Sequence, residues 1–478
     1  MPSRTVPFLG TWNWALGTFN FAFDRETVSD ITTAADIAAN VGPFTRDQVE
    51  ILSTRKVEGD WLRAARLASH GAFAAAPMPS TRLEEWRYTD IARALKLEAL
   101  SFAEERAAVT SVDALPAELA AVVRESGETS ARLAQVDASM VYREVPAELA
   151  ARGVIFTSLE SAAREHPELV AKYLGSALTP DDGKFAAMSG AFWSGGVFVY
   201  VPKDARVEVP VRVYRAITEG GTIVFGRTLV VAEAGAEVAV VDETVSPDFE
   251  RQALSVSGAE IFAEEGAKVT YVSVQRWGRG VAHLSTDRLV AGRDATITTL
   301  YTALGADLAR ADVQCRLKAP GAHVDMLGVY VADGGQHFDH ETLQDHVAPH
   351  ASSNLLFKGA LNDEARSVFR GLIRVHPKAQ RTDAYQTNRN LILSDRARAD
   401  SLPNLEIQAD DVRCSHAATV GQLDAEELFY LLSRGIHRAE AVRLVVFGFF
   451  AEVLEQLPLE GVRGELLRAV ERKLAARA

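Results

Sequence analysis

Residues 190–216, GAFWSGGVFVYVPKDARVEVPVRVYRA, mark an abrupt change in the chain. Ahead of them apolar residues recur every three or four positions. From here to about residue 410 they alternate, with Val, Ile, Phe and Tyr dominant. Such alternation marks half-buried strands. The stretch also opens a repeat. A turn centred on alanine recurs as DARVEV (Ala205), GAEVAV (Ala236), GAKVTY (Ala267), DATITT (Ala295), GAHVDM (Ala322) and HASSNL (Ala351), at spacings of 31, 31, 28, 27 and 29 residues. Looser copies follow at Ala365, Ala379 and Ala397, 14 to 18 residues apart. A period near thirty, built of strands without intervening helices, describes stacked coils that cannot bury their apolar faces singly. A sandwich would turn every ~8–12 residues with no small residue at a fixed place. The pattern therefore predicts a mainly β chain with a right-handed parallel β-helix over 191–421, the alanine suiting a tight inward corner.

Working outward, residues 25–190 read as a mainly helical N-terminal domain. Apolar residues at helical spacing run through RDQVEILSTRKVEGDWLRAARLASHGAFAAA and TSLESAAREHPELVAKYLG, the latter stopping at Gly175. Between them PMPSTRLEEWRYTDI (77–91) reads as a loop leading into a helix. Residues 422–478 form a second helical domain. Asp424 is its expected N-cap with Glu427 three residues on, Gly435 ends the first helix, and two more follow at about 439–456 and 459–476. The last carries Leu459, Val462, Leu466, Leu467, Val470 and Leu474 on one stripe. Residues 1–24 are apolar but interrupted by Asn and Gly, carry little positive charge and show no cleavage pattern; a disordered extension is expected, not a signal peptide, with a membrane-touching segment as the alternative.

The 478 residues are 47% hydrophobic with a formal net charge of −13, enough for a large core but unsuited to nucleic-acid binding, which needs a basic face. No stretch reaches the ~18 uninterrupted apolar residues of a membrane span. Two cysteines exclude a disulfide framework and fit a reducing, cytoplasmic compartment. There is no GxxxxGK[ST], GxSxG, HExxH or CxxC, so the chain does not read as a self-sufficient ATPase, hydrolase or zinc enzyme.

Two stretches could carry chemistry. GGQHFDHETLQDHVAPH (334–350) gathers imidazoles and carboxylates suited to a first-row metal, although alternation in a strand would throw them to opposite faces. Cys414 and His416, two apart in an extended segment, share one face and could meet a soft metal; equally, the cysteine could be a small core residue and the histidine a hydrogen-bonding one. Two ligands do not complete a site, so any iron bound there needs ligands from another chain.

NLEIQADDVRCSHAATVGQLDAEELFYLLSRGI (404–436), with SSNLLFKGALNDEARSVFRGLI (352–373) and AQRTDAYQTNRNLILSD (379–395), closely resembles the SufB/SufD family of iron–sulfur cluster assembly proteins. The likeness continues through RGVIFTSLESAAREHPELVAKYLG and GVFVYVPKDARVEVPV and spans roughly residues 60–478. Within the family the likeness is to SufD, in PSTRLEEWRYTDI and in the ending LPLEGVRGELLRAVERKL, and Ala397 stands where a SufB-like chain would carry its cluster-building cysteine. The resemblance implies a non-catalytic scaffold subunit beside SufB and two copies of SufC, an ABC-type ATPase. It implies a transient iron–sulfur cluster shared with SufB, with His416 as the matching metal ligand, Cys414 as a helper at most, and no tightly bound cofactor in the isolated chain. SufB is expected to meet the β-helix. SufC is expected on the C-terminal helical domain, around Asp424, Leu428, Tyr430, Arg434 and Gly435. A homodimer without SufB stays open, as do a β-helix carbohydrate-active enzyme and a purely structural partner.

Overall fold

The computed structural model of the chain describes residues 42–475, so the extension expected over 1–24 lies outside the described residues. The repeat follows from its turns. The residue before each repeat alanine has a positive φ: 59° at Asp204, 69° at Gly235, 66° at Gly266, 53° at Asp294, 75° at Gly321 and 58° at His350. This left-handed step reverses the chain at little cost for Gly, and Asp tolerates it better than most residues. The alanines after these steps, Ala236, Ala267, Ala295, Ala322 and Ala351, are buried at the corner, where a single methyl group fills the space between coils.

Each coil contributes two strands, and successive coils pair in parallel, residue on residue. Two ten-stranded sheets result, facing each other across a lumen, in a parallel β-solenoid of about 8 turns. The fold is mainly β, as the repeat predicts, with helices at either end. Inward side chains from both sheets make one long core running from Val197 to Phe369.

The two ends of the solenoid differ. At the start, Ile155–Ser158 pairs antiparallel with Val197–Val201, and Ser139–Glu144 with Ala131–Val136, which terminates both sheets. The region ahead of the solenoid thus adds short strands to helices such as Arg46–Arg55, Asp60–Ala75 and Lys184–Phe192. These helices bury Phe44, Phe73, Phe192 and Trp193 against the outer face of the first coils. The segment 77–91 packs on the solenoid: the Arg310 guanidinium lies 4.1 Å from the Trp86 ring centre, and Thr89 Oγ1 donates to Asp339 at 2.5 Å. At the far end, strands Arg398–Ile407 and Arg413–Gln422 have no neighbour beyond them among the described residues.

The C-terminal helices Arg438–Leu454 and Glu460–Ala475 cover the outer face of the second sheet. Val446, Phe450, Val453, Val462, Leu466 and Val470 meet Val272, Leu300, Leu327 and Leu356 in a shared core. Charged contacts pin them there. Lys358, almost fully buried, reaches the Phe449 carbonyl at 2.7 Å and Glu452 at 2.5 Å, and buried Arg212 grips Glu465 through both oxygens at 2.9 and 2.8 Å. Among the described residues no helix is long and apolar enough to cross a membrane.

Candidate functional site

The open end is formed by the last coil. In a parallel ladder, alternate residues of Arg413–Gln422 face the lumen: Cys414 pairs in register with Ala384, and His416 with Gln386, whose side chain points across the lumen at Gly371 of the other sheet. Cys414 is half-buried against the cluster of Ile373, Val375 and Ala384. Burial first, then the Asp383 carboxylate, push its thiol above the usual range, so it stays protonated and is a poor ligand as it stands. His416 is exposed. Around the pair, Leu405, Ile407 and Val420 also lack cover, at 37%, 40% and 48% exposure. They are core positions of a solenoid with no next coil above them among the described residues.

Below the last coil the lumen becomes polar. Asn388 and Asn390 form a closed network with Tyr330, Ser401 and the Phe357 carbonyl. His340 stacks on Tyr330 at 4.6 Å, and His346 shares the Ser353 hydroxyl with Gln344. Burial holds both imidazoles down, to about 4, and therefore neutral.

The histidine-rich stretch is divided by this alternation. His337 and Asp339 face outward, where they meet Thr89, while His340 and His346 face the lumen. Among the described residues no three His, Cys, Asp or Glu side chains converge as a metal site. Several outward carboxylates on this face lie against arginines, Asp339 against Arg310, Asp312 against Arg288 and Asp400 against Arg366.

A second feature lies on the helix Ala425–Ser433. The Asp424 carboxylate caps it, accepting from the Glu426 and Glu427 amides at 2.8 and 3.3 Å, and Gly435 leaves it with φ 82°. Leu428 is buried. Tyr430 is exposed beneath the Arg434 guanidinium, 5.0 Å from its ring. Asp424, Leu428 and Gly435 therefore shape this helix, and Tyr430 and Arg434 are the exposed side chains of the five that have no capping or packing role in it. Sequence reading passed over Phe429, Leu432 and Leu444, which are exposed beside them. The signal was available: LFYLL is apolar around the whole helix, more than one buried stripe needs. A groove of about 490 Å³ runs between this helix and the next, lined by Glu426, Glu427, Tyr430, Leu431, Leu444 and Val445.

Two family models match the chain: the SufBD protein N-terminal region over residues 46–213, and the "SUF system FeS cluster assembly, SufBD core domain" over 214–449. The chain is 32% identical over 434 residues to the iron-sulfur cluster assembly protein SufD of Bacillus subtilis, covering 90% of this chain and 98% of that one. It is 30% identical over 454 residues to SufB of the same organism, covering 93% and 95%. An iron-sulfur cluster assembly SufBD family protein of Staphylococcus saprophyticus matches equally, at 30% over 454 residues.

Proposed function

The chain belongs to the SufB/SufD family of iron–sulfur cluster assembly proteins, and we propose that it works there as the SufD-like scaffold subunit, joined end to end with a SufB-like partner. The observation that carries this reading is the asymmetry of the solenoid. One end is capped by antiparallel strands; the other presents two bare ten-residue edges and uncovered lumen positions. Long unpaired edges invite pairing, and a second solenoid end supplies matching amides, carbonyls and apolar side chains.

His416 is the metal-facing residue of that junction. It is exposed at the open end, where a partner's thiolate approaches, and neutral imidazole is a competent iron ligand. Cys414 takes a minor part, since its thiol is half-buried and protonated. The cluster is cargo, assembled and passed on, and an imidazole binds it less tenaciously than a thiolate. The exposed face of Ala425–Ser433 docks a SufC-like ATPase. Closure of that partner would pull on helices pinned to the second sheet through Lys358 and Arg212, shifting the solenoid pair. The chain acts in the cytoplasm and has no ATPase activity of its own.

Co-purification from the native host, followed by anaerobic reconstitution with the recovered partners, tests this. SufB- and SufC-like subunits with a visible iron–sulfur chromophore are expected. Recovery of the chain alone, or of a complex that never develops the chromophore, would leave a purely structural role.

A further inference from the structure

We propose that Gln386 is a positioning residue for His416, its side-chain carbonyl accepting one ring N–H from inside the lumen so that the other ring nitrogen faces the open end. The inference rests on the reading of His416 as the metal-facing residue. Gln386 is fully buried and is the register partner of His416 on the adjacent parallel strand. Both side chains point into the lumen, one rung apart, about 4.8 Å between strands.

Gln386 differs from the next lumen-facing residue of its strand. Two residues on, Asn388 uses its whole amide, donating to Tyr330 and to the Phe357 carbonyl at 3.1 and 3.2 Å and accepting from Asn390 and Ser401 at 2.8 Å each. Both polar atoms of the Gln386 amide are buried without a hydrogen bond. A buried amide left so loses its water without gaining a partner, which leaves both of its polar atoms available to the coil above. Gly371 opposite is what makes room: a Cβ there would overlap the Gln386 amide.

A second orphan sets the direction of the amide. Gln344 donates to Ser353 Oγ at 2.7 Å and to the Tyr385 carbonyl at 3.1 Å, which brings its amide beside the backbone adjoining Gln386, and its own Oε1 is unpartnered. Acceptor and donor are complementary. In the proposed network the Gln386 NH₂ turns toward Gln344 Oε1, which leaves the Gln386 carbonyl directed toward the coil that carries His416. Amide orientation is fixed by such networks, and a hydrogen bond to one nitrogen of a neutral imidazole selects the tautomer. The chain Ser353, Gln344, Gln386, His416 then presents a single lone pair outward, whereas an untethered surface imidazole exchanges between tautomers.

Selective ¹⁵N-histidine labelling of the full chain, with the His416 resonance assigned by its loss in His416→Ala, reads the tautomer directly. In the native chain one tautomer is expected for His416. Gln386→Met, of similar length but without an acceptor, should give a tautomer mixture, while Gln386→Glu, which keeps an acceptor oxygen, should retain the single form. An unchanged single tautomer in Gln386→Met overturns the inference, and so does a tautomer mixture already present in the native chain. If Gln386→Met fails to fold, Gln344→Met, which removes the group that orients Gln386, gives the same two outcomes. None of these readings uses a cluster. Normal cluster maturation in His416→Ala would overturn the function proposed for His416 while leaving the tautomer result intact.

Discussion

Cys414 and His416 share the lumen-facing side of one strand, yet Cys414 is packed against Ile373 and Val375 while His416 lies open two residues on. The first is the last residue covered by the preceding coil. The second is the first that only a partner could cover. His416 is exposed, and its one partner inside the chain is the Gln386 carbonyl proposed above, so His416→Ala should lower stability by no more than about 1–3 kcal/mol through that single lost hydrogen bond. Cluster maturation in the assembled complex should fall sharply. Cys414→Ser should do less harm to maturation. Cluster yield measured beside the melting temperature separates this from a purely structural role, in which maturation would fall only as far as the folded population does.

For the helix Ala425–Ser433, Phe429→Ala with Tyr430→Ala should leave the fold intact, since both rings are exposed, and should abolish capture of the ATPase partner. Leu428→Ala should instead destabilise by about 2–5 kcal/mol, as buried leucines do. Point variants are the sound test here. Deleting residues 437–478 would uncover the apolar face around Leu300 and Leu327 and confound docking with misfolding. Undiminished pull-down by the double variant would reject the docking surface.

The lumen should give opposed pH dependences. Burial holds His283, His340 and His346 to about 4, below the 6.5 of a free imidazole, so their contribution to stability is present above pH 6.5 and lost as pH falls toward 4. Burial pushes Asp287 from 3.8 up to about 7, so its contribution is full below 3.8 and lost as pH rises toward 7. The two slopes oppose each other over the same window. Asp287→Asn should therefore make the melting temperature fall more steeply on acidification from pH 6.5 to 4, and His346→Gln should make it fall less. Parallel curves for Asp287→Asn and the native chain would contradict the buried, protonated carboxyl.

Gly359 should not tolerate a side chain. Its Cβ would overlap the Tyr330 ring, which is itself fixed by Asn388, Asn390 and the stacked His340. Gly359→Ala is expected to cost about 1–3 kcal/mol by overpacking. Adding Tyr330→Leu should recover part of that loss, and strict additivity of the two changes in chemical denaturation would show that they do not touch.

Much of the C-terminal helical region was legible from local rules. Asp424 caps and Gly435 ends a helix because capping depends on residues two or three apart. Val462, Leu466 and Val470 are buried because a 3.6-residue period keeps them on one face. The site was legible only as a spacing. Cys414 and His416 lie on one strand face by alternation, but nothing in the chain says which of them a coil covers.

By itself the sequence determined the solenoid. A turn near every thirtieth residue, left-handed at Gly, Asp or His and in all but the first followed by a buried alanine, needs no distant information, since each coil contacts only its neighbours. The tertiary structure decided what joins positions far apart. It bound Thr89 to Asp339, 250 residues away, and turned PMPSTRLEEWRYTDI from a loop into a strap on the outer sheet face. Strand alternation, already readable in the sequence, separates His337 from His340; the tertiary structure supplied their partners, Thr89 for the first and the Tyr330 ring for the second. It also left one end of the lumen open above an unpaired Gln386. Periodicity sets which residues share a face. Only closure of the whole stack sets which face is covered, because burial and hydrogen-bond satisfaction are properties of the assembled coils rather than of any one of them.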